Sequence, residues 1–437
     1  MPKVRYLLIA AAAHVALTTT IFIIGHFQFF PNTFDQNGTG LTFALDGTSY
    51  QKAASDLAVE LQNNGFGAWR KMRAPFHSRL QSLAFATFGR VLGHNILAAE
   101  PLNLLYYLGI LICIYFLGRE VFNARAGFVA ATIVGLWPSF LFHSTQLMRD
   151  SLAILCFLGM MVVLVVVIGR DLTLRESIGA GVAGALAVTL FWVTRGNMWN
   201  AVVVAIAITL AMLVSRALRE KQFMPGNALV LVLVIGAALL VPARLESTTL
   251  PGVRPPTTPL AIPSSAPVAI PSQPPPPMRI TTYWIRVFKQ AADRRAGFRS
   301  ATAHASDIDS DVRFHNNSDV YRYLPRAAVI GFFAPFPKMW FQHGSFGLAG
   351  RLVSGAETLA MYFLYIAAAF CIWRERRNVK MWLLFLVASL GMVGLGLIVV
   401  NAGALFRIRY VFWMLLIVIA AEGIRHLTVL RTSATKS

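Results

Sequence analysis

The 437-residue chain is 56% hydrophobic and only 13% charged, with a mean hydropathy of +0.60, whereas a soluble globular domain is about 25% charged. Apolar runs near the ~20 residues that a helix needs to cross a bilayer, without two-residue alternation, exclude a soluble domain and a strand barrel. The net charge of +20 would suggest nucleic acid in a soluble chain. In a membrane protein, basic loops on one side of the bilayer and anionic lipid account for it.

Lys3 and Arg5 precede an apolar run at 7–30. It is too long for a signal-peptide core and is read as a retained first helix with its N-terminus in the cytoplasm. The first outer loop, 31–95, then opens with the polar turn Ala44-Leu45-Asp46-Gly47-Thr48-Ser49-Tyr50. Two amphipathic pieces follow, 50–61 and 76–92, and the first suits a helix lying on the bilayer with Ala53, Leu57, Ala58 and Leu61 on one face. The basic cluster Trp69-Arg70-Lys71-Met72-Arg73 and Pro75 separate them, and His77 comes next.

Further spans are expected at 97–117, 127–147 (with Trp137-Pro138 inside it), 151–169, 177–194, 198–214 and 228–241, and every short loop assigned to the inside carries at least two Lys or Arg. Residues 241–279 are rich in Pro, Ser and Thr and cannot form a packed core. Residues 280–323 regain aromatic and charged side chains as a small outer segment. Pro335 and Pro337 then interrupt an apolar stretch in the manner of a short or re-entrant helix. Spans at 357–373, 382–400 and 410–424 complete the chain.

The fold class expected is an all-α membrane protein of about ten transmembrane helices plus one interrupted helix, with amphipathic juxtamembrane helices in the first outer loop and both termini inside. Its organisation is a membrane core at 1–240, a Pro-rich extracytoplasmic linker at 241–279, a small extracytoplasmic segment at 280–323 and a C-terminal membrane region at 324–437.

Gly179-Ala180-Gly181-Val182-Ala183-Gly184 matches a dinucleotide-binding pattern, but it lies within a span and follows no strand. Close helix packing through small residues accounts for it better. Cys113, Cys156 and Cys371 all fall in apolar runs and imply neither a disulfide framework nor a zinc site.

More informative are arginines at the outer ends of helices, where orientation bias predicts few: Arg149, Arg195, Arg326, Arg407 and Arg409. A guanidinium fork suits phosphate, so these residues are candidates to hold a lipid-borne phosphate group. The alternative for each is that it only snorkels to lipid head groups. Asp46 and Asp150 are the outer acids nearest to helix ends. A carboxylate that takes a proton from an acceptor hydroxyl, while cations hold the leaving phosphate, describes glycosyl transfer from a lipid phosphate.

Asp46 with Tyr50 and Ala53, Ala74-Pro75-Phe76-His77, Leu80, Phe88-Gly89, the loop Leu117-Gly118-Arg119-Glu120-Val121-Phe122, Pro138 and Arg149-Asp150 resemble the multispanning GT-C glycosyltransferases, in particular the protein O-mannosyltransferase and aminoarabinose-transferase-like group. The resemblance covers about the first 200 residues and rests on spacing more than on any one motif. It implies Asp46 as the catalytic base, Asp150 as the assisting acid, and a sugar on a polyprenyl phosphate as donor. Gly47 stands where that family often has a second acid.

The reading that follows is an inverting glycosyltransferase of a bacterial inner membrane, acting on its outer face on a glycan, lipid or protein acceptor in cell-surface polysaccharide, glycolipid or glycoprotein synthesis. Tyr50, Trp69 and His77 would shape the substrate pocket. No cofactor is required, and a divalent metal is compatible but not indicated. Two rivals remain: a polysaccharide polymerase or ligase acting on polyprenyl-pyrophosphate glycans, and a lipid-linked-sugar flippase, which would place its charges nearer the midplane.

Overall fold

The computed structural model describes residues 4–30, 38–41, 45–222, 224–245, 289, 291–298, 307–341 and 347–434. Most of the Pro-rich linker and much of the 280–323 segment lie outside the described residues. The described chain is helical, and its one β-bridge joins Asp307 to Asn401.

Among the described residues eight helical stretches are long and apolar enough to cross a membrane, or nine if one bent pair counts as a span. One of the eight, Leu174–Glu220, is a hairpin of α8 (Leu174–Arg195) and α9 (Trp199–Glu220) joined by the 3-10 turn Gly196–Met198. Arg216, near the end of α9, donates to Ile168 O and pairs with Asp171, in the loop that leads into α8. Both ends of the stretch therefore lie on one side, and it crosses twice. Taken with the bent pair, this gives about the ten crossings that length and charge bias imply.

The remaining elements are α1 (Val4–His26), α2 (Leu45–Lys71), α3 (Phe76–Leu92), α4 (Ile96–Val121), α5 (Ala124–Gly135), α6 (Pro138–Ser144), α7 (Asp150–Gly169) and α10 (Pro225–Arg244). After the undescribed segment come α11 (Asn317–Phe333), α12 (Pro337–Trp340), α13 (Gly347–Arg374), α14 (Val379–Ile398), α15 (Ala402–Ile408) and α16 (Tyr410–Ala434).

Sequence chemistry explains the departures from straight spans. The run expected at 127–147 breaks by 70° between α5 and α6. Pro138 lacks an amide donor and disfavours helical geometry at Trp137, which is extended at φ −73, ψ 112. The interrupted helix is α11, 17 residues long, followed after Pro335 by the four-residue α12.

In lipid no hydrophobic force drives helices together, so small residues set the close contacts. A Cβ on Gly181 or Gly184 would lie 2.4 Å from Leu233 or 2.7 Å from Val234. These glycines of the GxGxxG run let α10 close on α8. On the α11–α14 contact, a Cβ on Gly396 would meet Ala327 O at 2.0 Å and one on Gly331 would meet Met392 O at 2.1 Å. α16 is buried in protein on all sides from Tyr410 to Ala421.

The first outer loop differs from the expected surface helix. Leu57 and Ala58 are fully buried, and Ala54, Ala58 and Phe85 form one apolar cluster with Ile21, Ile96 and Ala98 of α1 and α4. The apolar face of α2 thus rests on protein. α2 starts earlier than expected and includes Asp46 in its first turn, and it breaks at Gly65, whose φ of 76° suits glycine. Below this loop His14 joins Glu100 at 2.7 Å and Ser144 at 3.0 Å, tying α1 to α4 and α6.

Candidate active site

Four elements bring charge to one place. α2 begins next to Asp46, α7 begins at Asp150, α8 ends at Arg195, and the short α15 carries Arg407. Arg407 reaches two acids at once: Nη2 donates to Asp46 Oδ2 at 3.1 Å, and Nε lies 3.3 Å from Asp150 Oδ2. Arg195 Nη1 donates to the other Asp150 oxygen. Sequence separation reaches 361 residues for the Arg407–Asp46 bond, so only the fold makes this cluster.

The two acids differ in access. The Asp46 side chain is 51% exposed, while that of Asp150 is 8% exposed and held between two guanidinium groups. A group arriving from outside can therefore reach Asp46, whereas Asp150 orients the arginines. Arg149 is half-buried and its charge acts on Tyr50 and His77, while its side chain makes no hydrogen bond or ion pair among the described residues.

Arg407 is positioned by its surroundings. Asn401 accepts from Ala404 N at 3.0 Å and so caps α15. The preceding backbone is braced by Ile308 N, which donates to Val400 O at 2.6 Å. Arg295, 2% exposed, donates to Leu397 O, Val312 O and Asp309 O, locking the 291–298 helix to this corner.

Tyr50 stands one turn after Asp46 on α2, and His77 meets its ring edge-on with centroids 4.2 Å apart. Burial pushes the Tyr50 hydroxyl up, partly offset by Arg149. Burial, then the positive Arg149, pushes His77 down to about 3, so its imidazole is neutral.

The other candidates sit elsewhere. Trp69 donates to Ser82 Oγ at 2.9 Å and lies under Arg79, joining α2 to α3. Arg326 pairs with Asp309 at 2.9 Å. Arg409 is 1% exposed, donates to Ala334 O and stacks on Phe406.

A cavity of about 340 Å³ lies among the chain neighbours of Arg195 and Arg407, lined by Met198, Phe298, Leu395, Ile398, Val399 and Ile408 with Asn197 and Arg294. Asn197 and Met198 follow Arg195 in the chain, and Ile408 follows Arg407. The cavity is apolar where the cluster is charged. Among the described residues no three His, Cys, Asp or Glu side chains come together to hold a metal. In the cluster Asp46 and Asp150 both carry arginine partners.

Residues 108–251 match the family model of the oligosaccharyl transferase STT3 N-terminal region, a minority of the chain. No curated protein matches it by sequence. Among solved structures, the oligosaccharyltransferase of Archaeoglobus fulgidus in the apo form superposes with a TM-score of 0.42 at 12% identity, covering 97% of this chain and 52% of that one. The chain thus spans about half the length of that protein.

Proposed function

We propose that this multispanning membrane protein is an inverting glycosyltransferase that moves a sugar from a polyprenyl-phosphate donor to an acceptor hydroxyl on the outer face of a bacterial inner membrane. The observation that carries this reading is Arg407 hydrogen-bonded to Asp46 and ion-paired with Asp150, with an apolar cavity among the chain neighbours of Arg195 and Arg407. Acid, cation and lipid-compatible surface then lie together, as transfer from a lipid phosphate requires.

In this reading Asp46 takes the proton of the acceptor hydroxyl as its oxygen attacks the anomeric carbon. The bond from that carbon to the phosphate oxygen breaks on the opposite side of the ring, which inverts the centre. The electron pair leaves with the phosphate, whose added charge Arg407 and Arg149 stabilise. Asp150 and Arg195 hold Arg407 in place, and the first isoprene units lie against Met198, Phe298 and Ile408.

The match of residues 108–251 to an oligosaccharyl transferase family favours one variant of this scheme, a whole oligosaccharide on a pyrophosphate lipid as donor. Purified protein offered both donor types distinguishes them by which glycan is released. Asp46→Asn should abolish transfer with either donor while leaving membrane insertion intact. Full activity in that variant would remove Asp46 from the base role.

A further inference from the structure

The turn of α3 that follows Pro75 carries a set of polar atoms that the ion-pair cluster does not use. His77, Ser78 and Gln81 are 3%, 0% and 2% exposed. Among the described residues each keeps a polar atom without a hydrogen-bond partner: His77 Nε2, Ser78 Oγ and Gln81 Oε1. At 100° per residue the three project within about a third of the helix circumference. Their neighbour Ser82 is satisfied, accepting from Trp69 Nε1 and donating to Arg79 O at 2.7 Å.

Buried polar atoms in folded proteins are almost always paired, and three such atoms on one turn, without a partner among the described residues, match the face a bound ligand would complete. Their chemistry narrows what it is. Gln81 Oε1 only accepts, the Ser78 hydroxyl donates and accepts, and a neutral imidazole nitrogen does one or the other. His77 is neutral because burial, and then Arg149, disfavour its charged form. The face offers no charge, in contrast to the guanidinium groups around Asp150. It suits a group rich in hydroxyls and supplies no cation of its own to a phosphate.

We infer that His77, Ser78 and Gln81 form a subsite for the hydroxyl groups of a sugar ring. The edge-on contact of His77 with Tyr50, four residues from Asp46 on the same helix, places this subsite next to the carboxylate. Its assignment to a reacting sugar rests on the glycosyl-transfer reading. The same hydroxyl chemistry is shared by the sugar of a lipid-linked donor and by an acceptor glycan.

Ser78→Ala and Gln81→Leu, singly and together, test this in the full-length protein purified in detergent. Because Ser78 Oγ and Gln81 Oε1 have no partner among the described residues, thermal stability should hold or rise. Affinity is measured for bare polyprenyl phosphate, for polyprenyl-phosphate mannose and glucose, and for free oligosaccharides. The expected result is unchanged binding of the bare phosphate and a loss of about tenfold per missing hydrogen bond for a sugar-bearing probe. A loss confined to lipid-linked sugars identifies the donor sugar as occupant, and one confined to free glycans identifies the acceptor.

Several outcomes overturn the subsite: a fall in melting temperature, equal affinities of wild type and variants for every sugar, an equal loss for the bare phosphate, or a wild type that binds no sugar at all. Wild-type binding of free sugars without any affinity for polyprenyl phosphate would instead refute the lipid-donor reading and leave the subsite standing.

Discussion

Replacing Arg407 by alanine removes the group that holds Asp46 and Asp150 together, and its cost can be divided by burial. The contact with Asp150 joins side chains 17% and 8% exposed, so its loss leaves a buried carboxylate with Arg195 as its remaining cation. The contact is an ion pair without hydrogen-bond geometry, and removing one partner of such a buried pair costs about 1.5 kcal/mol when a second cation remains. The contact with Asp46 is to a carboxylate 51% exposed, and solvent screening limits it to about 0.5 kcal/mol. Thermal unfolding in detergent should therefore show destabilisation of about 2 kcal/mol, most of it absent when Asp150 is already asparagine. Turnover should fall further, by about 10²–10³, if the guanidinium stabilises a leaving phosphate. Arg407→Lys keeps the charge but cannot fork to two acids, and should recover only part of either quantity. Wild-type turnover in Arg407→Ala, with the stability loss present, would show that Arg407 is a structural brace and refute its role toward phosphate.

Two further consequences follow from packing and titration. Gly396→Ala places a methyl 2.0 Å from Ala327 O, forcing α14 from α11 at a cost of about 1–3 kcal/mol, read as a lowered melting temperature; an unchanged value would mean that this contact opens freely. The Arg326 hydrogen bond holds the Asp309 carboxyl below its usual range. A depressed carboxyl contributes stability that is fully present above the unfolded value near 4 and is lost as pH falls through the lower folded value. The stability difference between wild type and Asp309→Asn should therefore be level from pH 7 to about 4 and shrink below it. Because Arg326 is 46% exposed, that difference should stay under about 1 kcal/mol, and one that grows on acidification would contradict the pairing.

The spans were legible because apolar length and basic loops are local properties of the chain. The break at Trp137-Pro138 was legible as a proline, though its 70° angle depends on how α6 packs. The cluster was legible only as a set of residue types on one face of the membrane. Arg407 and Arg409 illustrate the limit: both are arginines at one helix end, yet two residues on a helix turn by about 200°. Arg407 therefore faces Asp46 and Asp150, while Arg409 faces Ala334 and Met361 in the interior. Arg326 likewise finds Asp309, a partner across a segment without a motif. Ser78 and Gln81 were invisible as candidates, since polar residues on an amphipathic helix read as its solvent side.

Gly47 carries the same geometry into a decisive test. As an isolated letter beside Asp46, it marks a missing second acid. In the first turn of α2, however, position 47 is buried and turned about 100° from Asp46, and a Cβ there would lie 3.6 Å from Leu41 Cδ2. The space is adequate but apolar. An acid at 47 would be aimed toward Leu41 and away from Arg407, so Gly47→Asp should bury a carboxylate without a cation. The expected outcome is a loss of about 1–3 kcal/mol and no gain of Mn²⁺ binding by isothermal titration calorimetry. Mn²⁺ binding created by that substitution, and abolished by adding Asp46→Asn, would show that the two positions converge on one ion and would replace the arginine-centred account of this site with a metal-centred one.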